Sequence, residues 1–351
     1  MTKLTGKQQK IINIILEKGA VSSSVLHEDI IQAGEKISLV TVKRELSKMA
    51  SNGFLDVIGS GRSTAYTMSV LGRIFTDIDS KNYCAIDPDR RWGLSGYNFD
   101  LLSSLPAEIF TTDELKTLNF ATAEYNRRIS DLSEAIQKKE LERLIIELSW
   151  KSSKIEGNTY TLLDTEKLIL ENKEALGHDR KEAQMILNHK DAFNFIHKNS
   201  PSFKTLNRTN LEKLHRILVE DLSIGLGFRE KPVGVVGSKY RPLDNIHQIR
   251  EAVTALGLAV DRMNTPYAKA LIALLGISYI QPFEDGNKRT GRLMANALLL
   301  AYGCAPLSYR SVEEEDFRQA TLVFYEINSI LPFKKIFVDQ YEFAAKNYAV
   351  K

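Results

Sequence analysis

Apolar residues recur at helical spacing along most of this chain. Ile11, Ile12, Ile15 and Leu16 share one face of a helix predicted over residues 8–18, which Gly19 stops. A second short helix is expected from Ser24 to just before Gly34. Ser38 is placed to cap a third, in which Leu39, Val42, Leu46 and Met49 step by three and four. That spacing turns Val40, Thr41, Lys43, Arg44, Ser47 and Lys48 outward. The pattern then changes: residues 54–58 and 63–68 flank Gly59-Ser60-Gly61-Arg62 and predict a β-hairpin.

Residues 72–100 lack periodicity and predict a linker partly docked on the body. From Asp113 onward helical patterns dominate. Leu141, Leu144, Ile145 and Leu148 make one apolar face of a helix over residues 140–153, ended by Gly157. Further helices are expected over 179–198, 211–222, 249–263, 267–280, 293–302, 311–330 and 333–349. Between two of them, residues 231–242 carry Val233, Val235 and Val236 beside a Gly237-Ser238 turn and predict a short hairpin. Such a hairpin cannot stand alone, so it is either a plain connection or a flap that receives an extended segment of a partner.

The 351 residues suit two domains, or one large helical body with a small module. With 43% hydrophobic and 26% charged residues the chain reads as an ordinary soluble protein. Cys84 and Cys304 lie far apart, the first residues lack a signal-peptide pattern, and no run approaches membrane-spanning length, so the expectation is cytoplasmic with no membrane partner. The net charge of +3 belongs to residues 1–70, with nine Lys/Arg against six Asp/Glu. This is a weak pointer to a polyanion. The six histidines show no metal-ligand spacing.

Candidate chemistry concentrates in residues 281–292, Gln-Pro-Phe-Glu-Asp-Gly-Asn-Lys-Arg-Thr-Gly-Arg. Lys288, Arg289 and Arg292 crowd the start of a helix, where the macrodipole disfavours cations and free N–H groups already favour anions. The placement makes sense as a phosphate cradle. Glu156 is out of place in the opposite sense, a carboxylate in the last turn of its helix, on the same face as Ser152. No Gly-rich phosphate loop of the strand-led kinds is present.

Two resemblances follow. Residues 1–70, and in them Ser38 to Leu46 and Gly59 to Tyr66, resemble a winged helix-turn-helix, which implies DNA contact through Thr41, Lys43, Arg44 and Arg62. Residues 281–292 resemble the signature of Fic-domain proteins, His-x-Phe-x-Asp/Glu-Gly-Asn, a small residue or Lys, Arg-x-x-Arg, and likeness extends over most of 95–345. Residues 152–158 are similar to that family's inhibitory motif, and residues 229–242 to its target-docking flap. The resemblance implies a mainly α fold: a small winged-helix domain (1–70), a linker and docking segment (71–112), and a helical Fic-like domain (113–351) with a β-hairpin flap and an inhibitory helix (140–157). It further implies that Phe283 anchors the loop and Asp285 holds a Mg²⁺ bridging the phosphates of ATP. Gly286 would let the backbone approach and Asn287 would bond a phosphate oxygen. Lys288, Arg289 and Arg292 would hold phosphates, and Glu156 would pair with Arg292 as a brake.

The family histidine that takes the proton from a target hydroxyl is replaced by Gln281, which has no titratable group near neutral pH. Lys288 stands where AMP-transferring members mostly carry Gly. Two readings result. In the first, a Fic-like nucleotide-binding module with a degenerate transfer site is joined to a DNA-binding regulator. In the second, an active protein adenylyltransferase, or another phosphoryl or nucleotidyl transferase, uses a non-standard base under restraint by Glu156. There the winged helix would serve a homodimer or target choice, and Val233, Val235 and Val236 would meet the protein target.

Overall fold

Thr5 caps the first helix, α1 (Gly6–Lys18): its hydroxyl accepts from the Gln8 N–H while the Gln8 side chain returns to the Thr5 N–H. This capping box starts the chain in the computed structural model, which describes residues 4–349. The chain divides into two units. The first holds residues up to Leu105 together with Val235–Tyr240 and Gln319–Phe333. The second holds Pro106–Gly234, Arg241–Arg318 and the residues from Lys334 on.

In the first unit, α1 is followed by β1 (Val21–Ser22), α2 (Ser23–Gln32) and α3 (Leu39–Ser51). Ser38 caps α3 as expected, accepting from the Thr41 N–H at 3.2 Å. The strands β2 (Leu55–Ile58) and β3 (Ala65–Met68) form the expected hairpin, with Val57 opposite Tyr66. The sheet has a third strand, antiparallel, in the order β1-β3-β2, with Val21 opposite Tyr66. Two residues are too few to show a period of two, so β1 left no sequence signal. Ile11, Ile15, Leu26, Ile30, Val42, Leu46 and Met49 close on one another as the core, as the helical spacing predicts. Three short helices follow: α4 (Val70–Ile74), α5 (Ser80–Cys84) and α6 (Leu101–Ser104).

Residues 231–242 form no strand, which corrects the hairpin expected there. Only the turn forms, with the Ser238 N–H donating to Val235 O at 3.2 Å and Gly237 at φ 75°. Pro232 and Pro242 lack the N–H a ladder needs. Side chains bond the segment instead, and Arg229 Nη1 takes the Lys231 carbonyl at 2.8 Å. In the first unit Arg91 Nη1 donates to Gly237 O at 3.0 Å, and Ser238 Oγ donates to the fully buried Glu326 at 2.6 Å. Glu326 also accepts from Arg91 Nη1 at 3.1 Å and from the Tyr83 hydroxyl at 2.7 Å.

The second unit is helical. It contains α7 (Thr112–Ser130), α8 (Glu134–Ile155), α9 (Leu162–Glu171), α10 (Arg180–Lys198), α11 (Arg208–Leu218), α12 (Ile246–Arg262), α13 (Pro266–Ile280) and α14 (Asn287–Ala301). α15 (Glu314–Ile327) and α16 (Leu331–Asn347) complete the chain. Every residue of α13 from Tyr267 to Ile280 is buried, which makes it the central helix of its unit. Each such leucine or isoleucine contributes roughly 1.5–3 kcal/mol. α14 packs back against α13 closely enough that a Cβ on Gly291 would meet Leu274 O at 3.0 Å and Ser278 Oγ at 3.3 Å. The loop joining these two buried helices is the 281–286 stretch. No helix among the described residues is long and apolar enough to cross a membrane.

Candidate functional site

α13 ends on Gln281, which caps it in the left-handed region at φ 49° and donates its N–H to Ile277 O at 3.0 Å. The chain then turns sharply and re-enters a helix at Gly286, also left-handed at φ 79°. A Cβ there would meet Val219 Cγ1 at 3.3 Å, so glycine suits both the backbone angle and the space. Two side chains lock the loop from within. Asn287 clamps Phe283 at both ends: its Oδ1 accepts from the Phe283 N–H and its Nδ2 donates to Phe283 O, each at 2.9 Å. Thr290 Oγ1 donates to Gly286 O at 2.9 Å. The role expected for Asn287 therefore narrows. One amide hydrogen and the side-chain carbonyl oxygen serve the loop.

Phe283 is fully buried, as its anchoring role requires, and stacks on His215 of α11 with centroids 3.7 Å apart and planes 3° from parallel. His215 Nε2 donates to Asp285 O at 2.9 Å. Burial pushes its pKa down to about 4, outweighing the carbonyl bond, so the ring is neutral. The Asp285 carboxylate points the other way and is 66% exposed, with Arg289 Nη2 at 3.4 Å. Among the described residues no cluster of three or more His, Cys, Asp or Glu could hold a metal. A lone exposed carboxylate does fit Mg²⁺ that arrives with phosphates, because that ion keeps waters and takes one or two protein carboxylates.

The three cations are not alike. Arg289 is only 2% exposed, yet its Nη1 has no partner, and burial lowers the stability of its charged form. Arg292 is fully buried and each guanidinium nitrogen has a partner: Nε donates to Ser152 Oγ, Nη2 to Ser152 O and Nη1 to Glu156 Oε1, all at 2.8 Å. Lys288, partly exposed, reaches the second carboxylate oxygen of Glu156 at 3.5 Å. Burial on its own would raise the Glu156 pKa; Arg292, Lys288 and Arg289 together hold it below the ordinary carboxylate value. Ser152 and Glu156 thus meet the cradle from α8, with Glu156 as that helix's cap.

Two further buried residues lie near the site and gave no usable sequence signal. Arg229 is a buried fork on carbonyls: Nε donates to Gln281 O at 2.7 Å, Nη1 to Lys231 O at 2.8 Å and Nη2 to Leu243 O, and its N–H donates to Pro282 O at 2.9 Å. It lies in an aperiodic stretch between Phe228 and Glu230, where nothing marks it. His189 of α10 is fully buried, and neither ring nitrogen has a hydrogen-bond partner. Burial, then the nearby Arg292 and Arg289, drive its pKa well down. On sequence it was one histidine among six.

The remaining expected residues lie elsewhere. Val233 is half-buried in the second unit, whereas Val235 and Val236 fall in the first, Val236 83% exposed. In the first unit Lys43 and Arg44 are exposed on α3, beside Val40, while Thr41 is half-buried with its hydroxyl 3.0 Å from Ser38 Oγ. Arg62 is exposed in the helical turn Gly61–Ser63 between β2 and β3.

Residues 205–299, which supply α11 to α14 and the loop, match the Fic/DOC family. The chain is 26% identical over 185 residues to the protein adenylyltransferase Fic of Nematostella vectensis, covering 48% of this chain and 40% of that protein. It is 30% identical over 217 residues to the protein adenylyltransferase Fic of Aedes aegypti, covering 60% and 43%. The chain thus spans about two fifths of the length of these curated relatives. Among solved structures, a Fic domain containing signaling protein from Bacteroides thetaiotaomicron aligns with TM-score 0.54 at 20% identity, over 66% of this chain and 94% of that one. A Fic family protein from Desulfovibrio desulfuricans aligns with TM-score 0.56 at 21% identity, over 69% and 75%. The fold is that of these Fic proteins, and the loop between α13 and α14 lies within the residues that match the Fic/DOC family.

Proposed function

We propose that this chain with a Fic domain binds ATP at the start of α14, that it transfers AMP poorly or not at all, and that occupancy of the site regulates a DNA-binding module at its N-terminus. The observation that carries the proposal is the contrast between the two buried arginines. Every guanidinium nitrogen of Arg292 has a partner in Ser152 or Glu156, while Arg289, its side chain 2% exposed, keeps an unpartnered Nη1. A buried guanidinium left incompletely paired is costly, and at a helix N-terminus its natural partner is a phosphate.

In this reading Arg289 takes one phosphate, and Arg292 takes the outermost once Glu156 lets go. Asp285 would hold Mg²⁺ together with phosphate oxygens and water; the ion would neutralise charge on the phosphates. Gln281 can orient a hydroxyl but cannot remove its proton, and loss of a general base removes about 10²–10⁴ in rate. Neither nearby histidine is a ready substitute. His215 spends its Nε2–H on Asp285 O, and burial lowers the pKa of both His215 and His189, which makes each a weak proton acceptor.

The second reading, a transferase under restraint, is favoured by one feature: the contact of Glu156 and Ser152 with Arg292 is complete, and a brake suits an active enzyme. Its protein target would dock beside Val233, Val235 and Val236. Labelling with α-labelled ATP separates the two. The first reading predicts no transfer by the unaltered chain and strong transfer when Gln281→His is combined with Glu156→Gly. Transfer by the unaltered chain that Arg289→Ala abolishes would establish the second.

For the N-terminal module, three helices and a three-stranded sheet with Lys43, Arg44 and Arg62 exposed support a winged helix that meets DNA through α3. Gel shifts with Lys43→Ala and Arg44→Ala test this, and binding indifferent to both changes would remove it.

A further inference from the structure

We infer that His215 is a positioning residue for Asp285, holding the 283–286 loop so that the Asp285 carboxylate faces out towards the metal of an incoming Mg²⁺·ATP. This rests on the nucleotide reading above and adds a residue to it.

A carbonyl oxygen can only accept, so the bond to Asp285 O fixes the proton on Nε2 and leaves Nδ1 bare. Nδ1 is buried and has no partner. A phenylalanine in this place would stack on Phe283 equally well and would bury no unpartnered nitrogen. What the imidazole adds is one directed N–H, and that N–H is spent on the backbone of Asp285.

One ring therefore pins two alternate residues of the loop, Phe283 through its face and Asp285 through its carbonyl. With the carbonyl drawn inward to α11, the side chain of Asp285 is sent to the opposite side, where its carboxylate is exposed beside Arg289. The same ring underlies the left-handed turn at Gly286, where a Cβ would lie 3.6 Å from His215 Cδ2. His215 thus acts one shell behind the group that would meet the ion, the position from which outer partners orient metal ligands.

The test is calorimetric titration of the full chain with ATP, once with Mg²⁺ and once with EDTA, for the unaltered protein, His215→Phe and His215→Gln. The unaltered chain is expected to bind ATP more tightly with Mg²⁺. In His215→Phe that Mg²⁺-dependent gain should shrink by about 10–100-fold, the usual effect of losing an outer partner of a metal ligand, while affinity in EDTA changes little. His215→Gln, which can return an N–H to Asp285 O, should recover part of the gain. Equal losses in both buffers would mark a merely structural residue and overturn the inference, as would an unchanged gain in His215→Phe or the absence of any gain in the unaltered chain. Where His215→Phe does not fold, His215→Met, which keeps bulk without an N–H, is read by the same two outcomes. No binding by the unaltered chain in either buffer would defeat the nucleotide reading itself, a different result from binding without Mg²⁺ dependence.

Discussion

Glu156 Oε1 accepts from Arg292 Nη1 at 2.8 Å, joining the C-terminal cap of α8 to the buried start of α14. Each charge sits where its own helix dipole disfavours it. Together they cancel, with Ser152 accepting from the other two guanidinium nitrogens. Under the proposed function, an anion that takes Arg292 would have to displace this carboxylate, and the pair would set a threshold for occupancy.

Replacing Glu156 should therefore cost stability and favour ligand. Breaking a buried pair by removing one partner costs about 3–5 kcal/mol, with the lower end expected here because Lys288 and Ser152 remain nearby. Glu156→Gly should melt below the unaltered protein without nucleotide and gain more on adding Mg²⁺·ATP. Thermal unfolding with and without nucleotide measures both, and an equal or smaller nucleotide-induced rise in Tm would contradict the competition.

Arg229→Lys keeps the charge and loses the fork. Hydrogen bonds from charged donors contribute about 1.5–3 kcal/mol each, and Arg229 makes several to Gln281, Lys231 and Leu243. Amide exchange across 231–243 and at Gln281 should accelerate, while exchange in the body of α13 stays slow. Unchanged protection of both stretches would show that the fork does not hold them.

Both buried histidines predict acid sensitivity. Their folded pKa values lie below the ordinary value near 6.5, so as pH falls the unfolded chain takes up protons first and stability is lost. For His215, with a folded value of about 4, the loss between pH 7.5 and 5 is on the order of 2 kcal/mol, and His189 adds in the same direction. Glu156, held below its ordinary value, extends the decline further down. Denaturant titrations at the two pH values check this, and stability that is flat or rising towards pH 5 would contradict it.

The helices were legible because their apolar stripes are long. Ser38, Gly19 and Asp179 mark ends that the structure places within a residue or two. The meeting of Glu156 with the cations of α14 was legible because cations at a helix start, and a carboxylate at a helix end, break a local rule that a partner from elsewhere can justify. The strand β1 was invisible at two residues. The 231–242 hairpin failed because alternating valines specify a face but supply no partner strand, and side chains captured the backbone instead. His215 and Arg229 were illegible for a shared reason. His215 acts on the carbonyl of Asp285 and Arg229 on that of Gln281, both distant in sequence, and such bonds leave no spacing to read.

The central claim is that the α14 cradle binds nucleotide, and calorimetric titration with Mg²⁺·ATP tests it most directly. Saturable binding by the unaltered chain, weakened at least tenfold in Arg289→Ala and strengthened in Glu156→Gly, is the predicted result. No heat of binding in the unaltered chain or in Glu156→Gly, or binding that is indifferent to Arg289→Ala, would contradict it.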